Sequence, residues 1–187
     1  MVISTRKLGY VVYTYPRAGL NAFTRTYELK THRHLRGTHF DDDAMGMKII
    51  SIIRNPKDSV ASLIAMNDRK GHSHIGDHYY DQIVQDLIDD YSAKMEFIEK
   101  NSMMVVLYED FCIDATAVVR KVANLLGDEL VDPDAVSTDI FNRDGTHVSS
   151  SRELPNYGDF VEYLQSFDFT RANESYERLA SKHRLNL

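Results

Sequence analysis

The chain has 187 residues, 43% apolar and 27% charged, enough for one folded domain and incompatible with wholesale disorder. A net charge of −6 argues against a broad basic surface for nucleic acid but leaves room for a local basic pocket, and a single cysteine, Cys112, excludes an internal disulfide framework. Met1–Lys7 lack the apolar stretch of a secretion signal and no run reaches the roughly 18–20 apolar residues of a membrane span, so the expectation is a reduced, soluble, cytoplasmic protein.

In chain order, Tyr10–Tyr15 is the first strand-like apolar run, and it passes into Pro16-Arg17-Ala18-Gly19, a tight turn leading to a helix. Tyr27–Thr31 reads as a second, weaker strand. Three acids, Asp41-Asp42-Asp43, suit the start of a short helical turn. Met47–Ile53 is β-branched and nearly continuous, as a strand covered on both faces should be. Pro56 to about Asp68 predicts a helix with proline in its first turn. Within Asp77–Lys100, Tyr80, Ile83, Val84, Leu87, Tyr91 and Met95 form one helical stripe. Met103–Tyr108 is a further strand, Thr116–Leu126 a further helix with Gly127 as its C-cap, and a helical segment starts near Phe160. Alternating strands and helices predict an α/β fold, a parallel sheet of four or five strands with helices on both faces. No repeat or linker divides it, and such folds bind ligands at the carboxyl ends of their strands.

Four segments fall at those ends. The Tyr15–Gly19 turn aims backbone N–H groups and a helix dipole at one point, which makes either an anion site or an ordinary βα turn. It is not a Walker loop, because the Gly-Lys-Ser/Thr ending is absent. Lys30-Thr31-His32 sets a cation beside a histidine, suited to acid–base chemistry on an anion or simply to a solvated surface. Arg54-Asn55-Pro56-Lys57-Asp58 follows the third strand, with Ser62 eight residues beyond the arginine; the fork of Arg54 suits phosphate, or a pairing with Asp58. Tyr108-Glu109-Asp110 closes the fourth strand, and a buried tyrosine ahead of helix-start acids explains it equally well.

Together, Tyr15-Pro16-Arg17-Ala18-Gly19, Lys30-Thr31-His32, Arg54-Asn55-Pro56-Lys57-Asp58 with Ser62, and Tyr108-Glu109-Asp110 resemble the signature blocks of the sulfotransferases that use 3′-phosphoadenosine 5′-phosphosulfate (PAPS). The likeness is to the soluble cytosolic branch, and the interval from His32 to Arg54 fits it too. It spans residues 8–127 and implies a P-loop-like three-layer domain over 1–187, with a nucleotide-binding core at 1–127 and a C-terminal lid and helical segment at 128–187. It further implies sulfuryl transfer to a small-molecule or glycan hydroxyl acceptor, with PAPS as co-substrate and no metal, while the charge balance and the short apolar runs lead to the expectation of no nucleic-acid or membrane partner. Arg17 falls where the family carries a lysine that stabilises the leaving phosphate. Ala18, Gly19, Leu20 and Asn21 complete the cradle for the 5′-phosphosulfate. His32 matches the general base and Lys30 a lysine that holds the transferring group. Arg54 and Ser62 match the 3′-phosphate ligands, Tyr108 a tyrosine near the adenine, and Arg143 with Gly145 a basic element returning to the 3′-phosphate.

Departures from the pattern are equally visible. Leu20, Asn21 and Ala22 replace two hydroxyl residues and an aromatic, and Phe23 is one helical step of about 100° out of place. The stretch from Arg17 to Lys30 is short, so the acceptor site is either open to a large substrate or completed by another subunit, as in a homodimer. Asp144 stands where the returning element has lysine, and His147–Arg152 reads as a polar lid. His72, His74 and His78 fit no zinc spacing, with Asp77 wanted as a helix cap, and nothing near Cys112 marks it as a nucleophile. Two other functions stay open: a nucleotide-binding or interaction protein with impaired catalysis, and a small P-loop kinase, which would need magnesium and ATP.

Overall fold

A computed structural model describes residues 10–44, 46–68, 78–135 and 157–185. Among them lies one four-stranded, wholly parallel sheet: β1 (Tyr10–Thr14), β2 (Gly37–Thr38), β3 (Lys48–Ile53) and β4 (Ser102–Leu107), in spatial order β2-β1-β3-β4. The helices are α1 (Leu20–Thr31), α2 (Asp41–Ala44), α3 (Pro56–Asp68), α4 (His78–Asn101), α5 (Tyr108–Ile113), α6 (Ala115–Leu126), α7 (Tyr157–Tyr163) and α8 (Thr170–His183), with a 3₁₀ turn at Leu164–Ser166. β1 pairs with β3 on one side and β2 on the other, so the chain reverses its direction of winding across the β1–β3 boundary. Such a boundary is where loops of open α/β sheets part at the carboxyl edge and form a ligand crevice.

Alternation along the strands fills both faces. Val11, Tyr13, Ile49, Ile53, Val105 and Leu107 join α3, α4, α7 and α8 in one apolar layer. Val12, Ile50, Ile52, Met104 and Val106 pack with α1, α5 and α6 in the other. Each fully buried aliphatic or aromatic side chain is worth roughly 1.5–3 kcal/mol. Phe160, Leu164, Phe169, Ala172, Tyr176 and Leu179 belong to the first layer, so the described C-terminal helices are part of the core. Pro56–Asp68 is helical as the sequence predicts, and Gly127 caps α6 in the left-handed region at φ 67°.

One predicted element is overturned. Tyr27–Thr31 is not a strand but the last turns of α1, because Leu20, Phe23, Tyr27 and Lys30 recur at helical spacing and turn one buried face to the sheet. The second strand is instead Gly37–Thr38, too short to leave an apolar run in the sequence.

Candidate active site at the carboxyl edge of the sheet

The turn after β1 is built from two left-handed residues, Arg17 at φ 68° and Gly19 at φ 96°. A Cβ at Gly19 would also run into the Tyr108 ring, so glycine is required twice over. Gly19 is the N-cap of α1 and offers no side chain to cap the first N–H groups of the helix. Arg17, not a glycine, holds positive φ as well, a conformation disfavoured for a side-chain-bearing residue and kept by the contacts its guanidinium makes.

Those contacts assemble a cationic floor. Arg17 Nε donates to Ser62 Oγ at 3.1 Å, joining the turn to α3. Arg54 leaves the end of β3 almost fully buried, with 3% exposure; its NH1 donates to the Arg17 carbonyl at 3.2 Å and its guanidinium stacks 4.7 Å from the Tyr108 ring centroid. Burial and the neighbouring Arg54 pull the pKa of Arg17 below its ordinary value. Among the described residues no carboxylate forms an ion pair with either guanidinium. Asp58 does not take Arg54: its N–H bonds the Asn55 side chain and its carboxylate accepts from Tyr157. A buried and a half-buried cation side by side, with no ion-paired acid among the described residues, suit an anion.

The peptide carrying Arg54 is clamped from behind. Tyr91 donates to the Arg54 carbonyl at 2.6 Å. Glu109 accepts from the Asn55 N–H at 2.8 Å and, through its other oxygen, from Tyr176 of α8 at 3.0 Å. Sequence patterning marks Tyr91 only as one of a helical stripe, and Tyr176 carries no local signal.

Lys30 and His32 are not brought to this crevice. They end α1, whose 12 residues span about 18 Å from Gly19. Lys30 is buried there and donates to the Pro133 carbonyl, while His32 is an exposed left-handed C-cap at φ 54°. Burial lowers the pKa of Lys30. A different histidine occupies the carboxyl edge: His39 follows β2, and its Nδ1 lies 3.1 Å from the Thr14 carbonyl at the end of β1. A carbonyl only accepts, so Nδ1 carries the proton, and in the neutral ring Nε2 is the nitrogen with the lone pair. Sequence reasoning missed His39, although Thr38-His39 repeats the Thr-His pair of residues 31 and 32.

Other predicted positions divide as follows. Ala18 is buried in the turn, and Asn21 is exposed on the first turn of α1. Phe23 cannot stack on a base, because it is 1% exposed and packed edge-on against Phe111. Leu20 covers Gly37, where any Cβ would come within 2.7 Å of its Cδ1. Asp41, Asp42 and Asp43 form the first turn of α2, and Cys112, which is in no disulfide, lies inside α5. Arg143, Gly145, the 147–152 run, His72 and His74 lie outside the described residues. No group of three or more potential metal ligands occurs among the described residues, and none of their helices is long and apolar enough to cross a membrane.

A parallel α/β domain with a glycine-capped helix and two neighbouring arginines, one of them buried, at its topological switch point is a scaffold suited to holding an anion. A sequence model of the sulfotransferase domain matches residues 18–157, more than half of the chain. The chain belongs to the sulfotransferase domain family. Among solved structures, it is similar to mouse sulfotransferase SULT7A1 complexed with PAP, at 14% identity and a TM-score of 0.49, over 96% of this chain and 85% of that one. No curated protein sequence matches it.

Proposed function

We propose that the protein transfers a sulfuryl group from PAPS to a hydroxyl acceptor, releasing 3′,5′-bisphosphoadenosine. The observation that carries this reading is the pairing of half-buried Arg17 with buried Arg54, unbalanced by any described carboxylate, in a chain of the sulfotransferase domain family. On this reading Arg54 and Ser62 bind the 3′-phosphate. The N–H groups of Gly19, Leu20 and Asn21 and the Arg17 guanidinium receive the 5′-phosphosulfate, and Tyr108 borders the adenine. Arg143 and Gly145 are further candidates for the 3′-phosphate.

The base is His39 rather than His32. With Nδ1–H fixed on Thr14, Nε2 accepts the acceptor's proton as its oxygen attacks sulfur in line. The sulfur–oxygen bond to the 5′-phosphate breaks, and the charge left on that phosphate is met by Arg17 and the α1 N-terminus, which are already in position. The acceptor, a small-molecule or glycan hydroxyl, approaches beside the exposed Phe40.

Calorimetric titration with 3′,5′-bisphosphoadenosine, adenosine 5′-phosphate and ATP/Mg²⁺ tests the reading. Binding that requires the 3′-phosphate and weakens in Arg54→Ala supports it; indifference to the 3′-phosphate overturns it. A second reading, a nucleotide-binding protein with impaired catalysis, is favoured by Gly37. The resemblance implies a lysine two residues ahead of the base histidine, but position 37 is an exposed glycine where any Cβ would meet the Leu20 side chain. That reading predicts bisphosphate binding with no turnover of PAPS.

A further inference from the structure

His39 sits on a two-residue bridge between β2 and α2, a short span of irregular backbone that must hold an imidazole in one orientation. One end is closed locally, where the Phe40 N–H donates to Thr38 Oγ1 at 3.1 Å. The other end is held by Lys94, from the middle of α4. Its ammonium lies 3.2 Å from the His39 carbonyl, 3.2 Å from Asp41 Oδ1 and 3.3 Å from the Tyr13 hydroxyl oxygen. Tyr13 in turn donates its proton to Asp41, which leaves its oxygen free to accept from Lys94. All three donors of the ammonium are thus used, on β1, on the bridge and on the first residue of α2. The Lys94 side chain is only 14% exposed and also lies over the Tyr13 ring, at 5.6 Å from its centroid. A lysine serving solubility would reach for water; this one is folded inward on the peptide of the histidine.

We propose that Lys94 is a positioning residue for His39. By anchoring the His39 carbonyl and the Asp41 side chain together, it keeps Nδ1–H on the Thr14 carbonyl and so selects the tautomer whose Nε2 is free. The inference deepens the reading of His39 as the base and rests on it for its catalytic meaning, but the tautomer itself is measurable without any acceptor.

The experiment is long-range ¹H–¹⁵N correlation of the histidine rings in the full chain, labelled at histidine, with His39 assigned through His39→Gln. Affinity for 3′,5′-bisphosphoadenosine is titrated in parallel. Wild type is expected to hold the Nδ1–H form by about tenfold or more, the scale of one charge-assisted network. Lys94→Met is expected to show mixed tautomers with bisphosphate affinity unchanged within about twofold, and Lys94→Arg to restore the single form. If Lys94→Met does not fold, Asp41→Asn, which removes the nearer of the two carboxylates at the lysine, Asp41 at 3.2 Å and Asp90 at 4.0 Å, must shift the tautomer the same way. An unchanged His39 tautomer in the folded variants overturns the proposal, as does a loss of bisphosphate affinity with the tautomer intact. Failure of the sulfotransferase reading looks different: wild type would not bind the bisphosphate, whatever the tautomer does.

Discussion

Thr31-His32 and Thr38-His39 are the same dipeptide seven residues apart, and the fold gives them opposite addresses. The first ends a helix: Thr31 bonds back to the Tyr27 carbonyl, and His32 turns left-handed into solvent. The second ends a strand: Thr38 receives the Phe40 N–H, and His39 reaches across to β1. In the first pair threonine and histidine terminate backbone hydrogen bonding; in the second they aim a ring at the crevice. What separates them is whether the preceding residues form a helix leaving the sheet edge or a strand arriving at it.

The sharpest way to break this contrast is to remove each imidazole in turn. His39→Ala is expected to lower turnover of PAPS by about 10²–10⁴, the usual worth of a positioned general base, while His32→Ala leaves it unchanged. Release of the bisphosphate across a panel of hydroxyl acceptors reads both. Next in size is the cationic floor. Arg54→Ala is expected to weaken bisphosphate binding by about 10²-fold in calorimetry, since it removes a buried charged donor, with little effect on adenosine 5′-phosphate. Gly19→Ala should destabilise the fold by about 1–3 kcal/mol in urea, because the residue holds positive φ and its new methyl meets Tyr108. The smallest effect belongs to the Lys30 end of the molecule. Asp114 caps α6 by accepting from Ala117 N at 2.8 Å, and Asp114→Ala should cost about 1 kcal/mol of stability without touching nucleotide affinity.

Sequence patterning located the sheet through Tyr10–Tyr15, Met47–Ile53 and Met103–Tyr108, because buried parallel strands leave dense β-branched runs. Arg17, Gly19, Arg54 and Ser62 were legible for a related reason: each stands at a fixed offset from one of those strands, so the strand carries it to the edge. β2 has no such signature. Two residues hydrogen-bonded at the margin of the sheet need no apolar run, whereas Tyr27–Thr31 reads as a strand although its Tyr27 lies on the buried face of a helix and its Leu29 on the exposed side. The base we propose, His39, follows that short strand and shares its lack of signature. Lys94, Tyr91, Tyr176 and Glu109 act through contacts 37–81 residues distant in sequence, which no local pattern records.

The most direct test of the central claim is a crystal structure of the protein with 3′,5′-bisphosphoadenosine bound. The account predicts the 5′-phosphate over Gly19, the 3′-phosphate on Arg54 and Ser62, and His39 facing the 5′-phosphate, with His32 about 18 Å from Gly19. A nucleotide bound beside Lys30 and His32, or held at the crevice without Arg54, would contradict it.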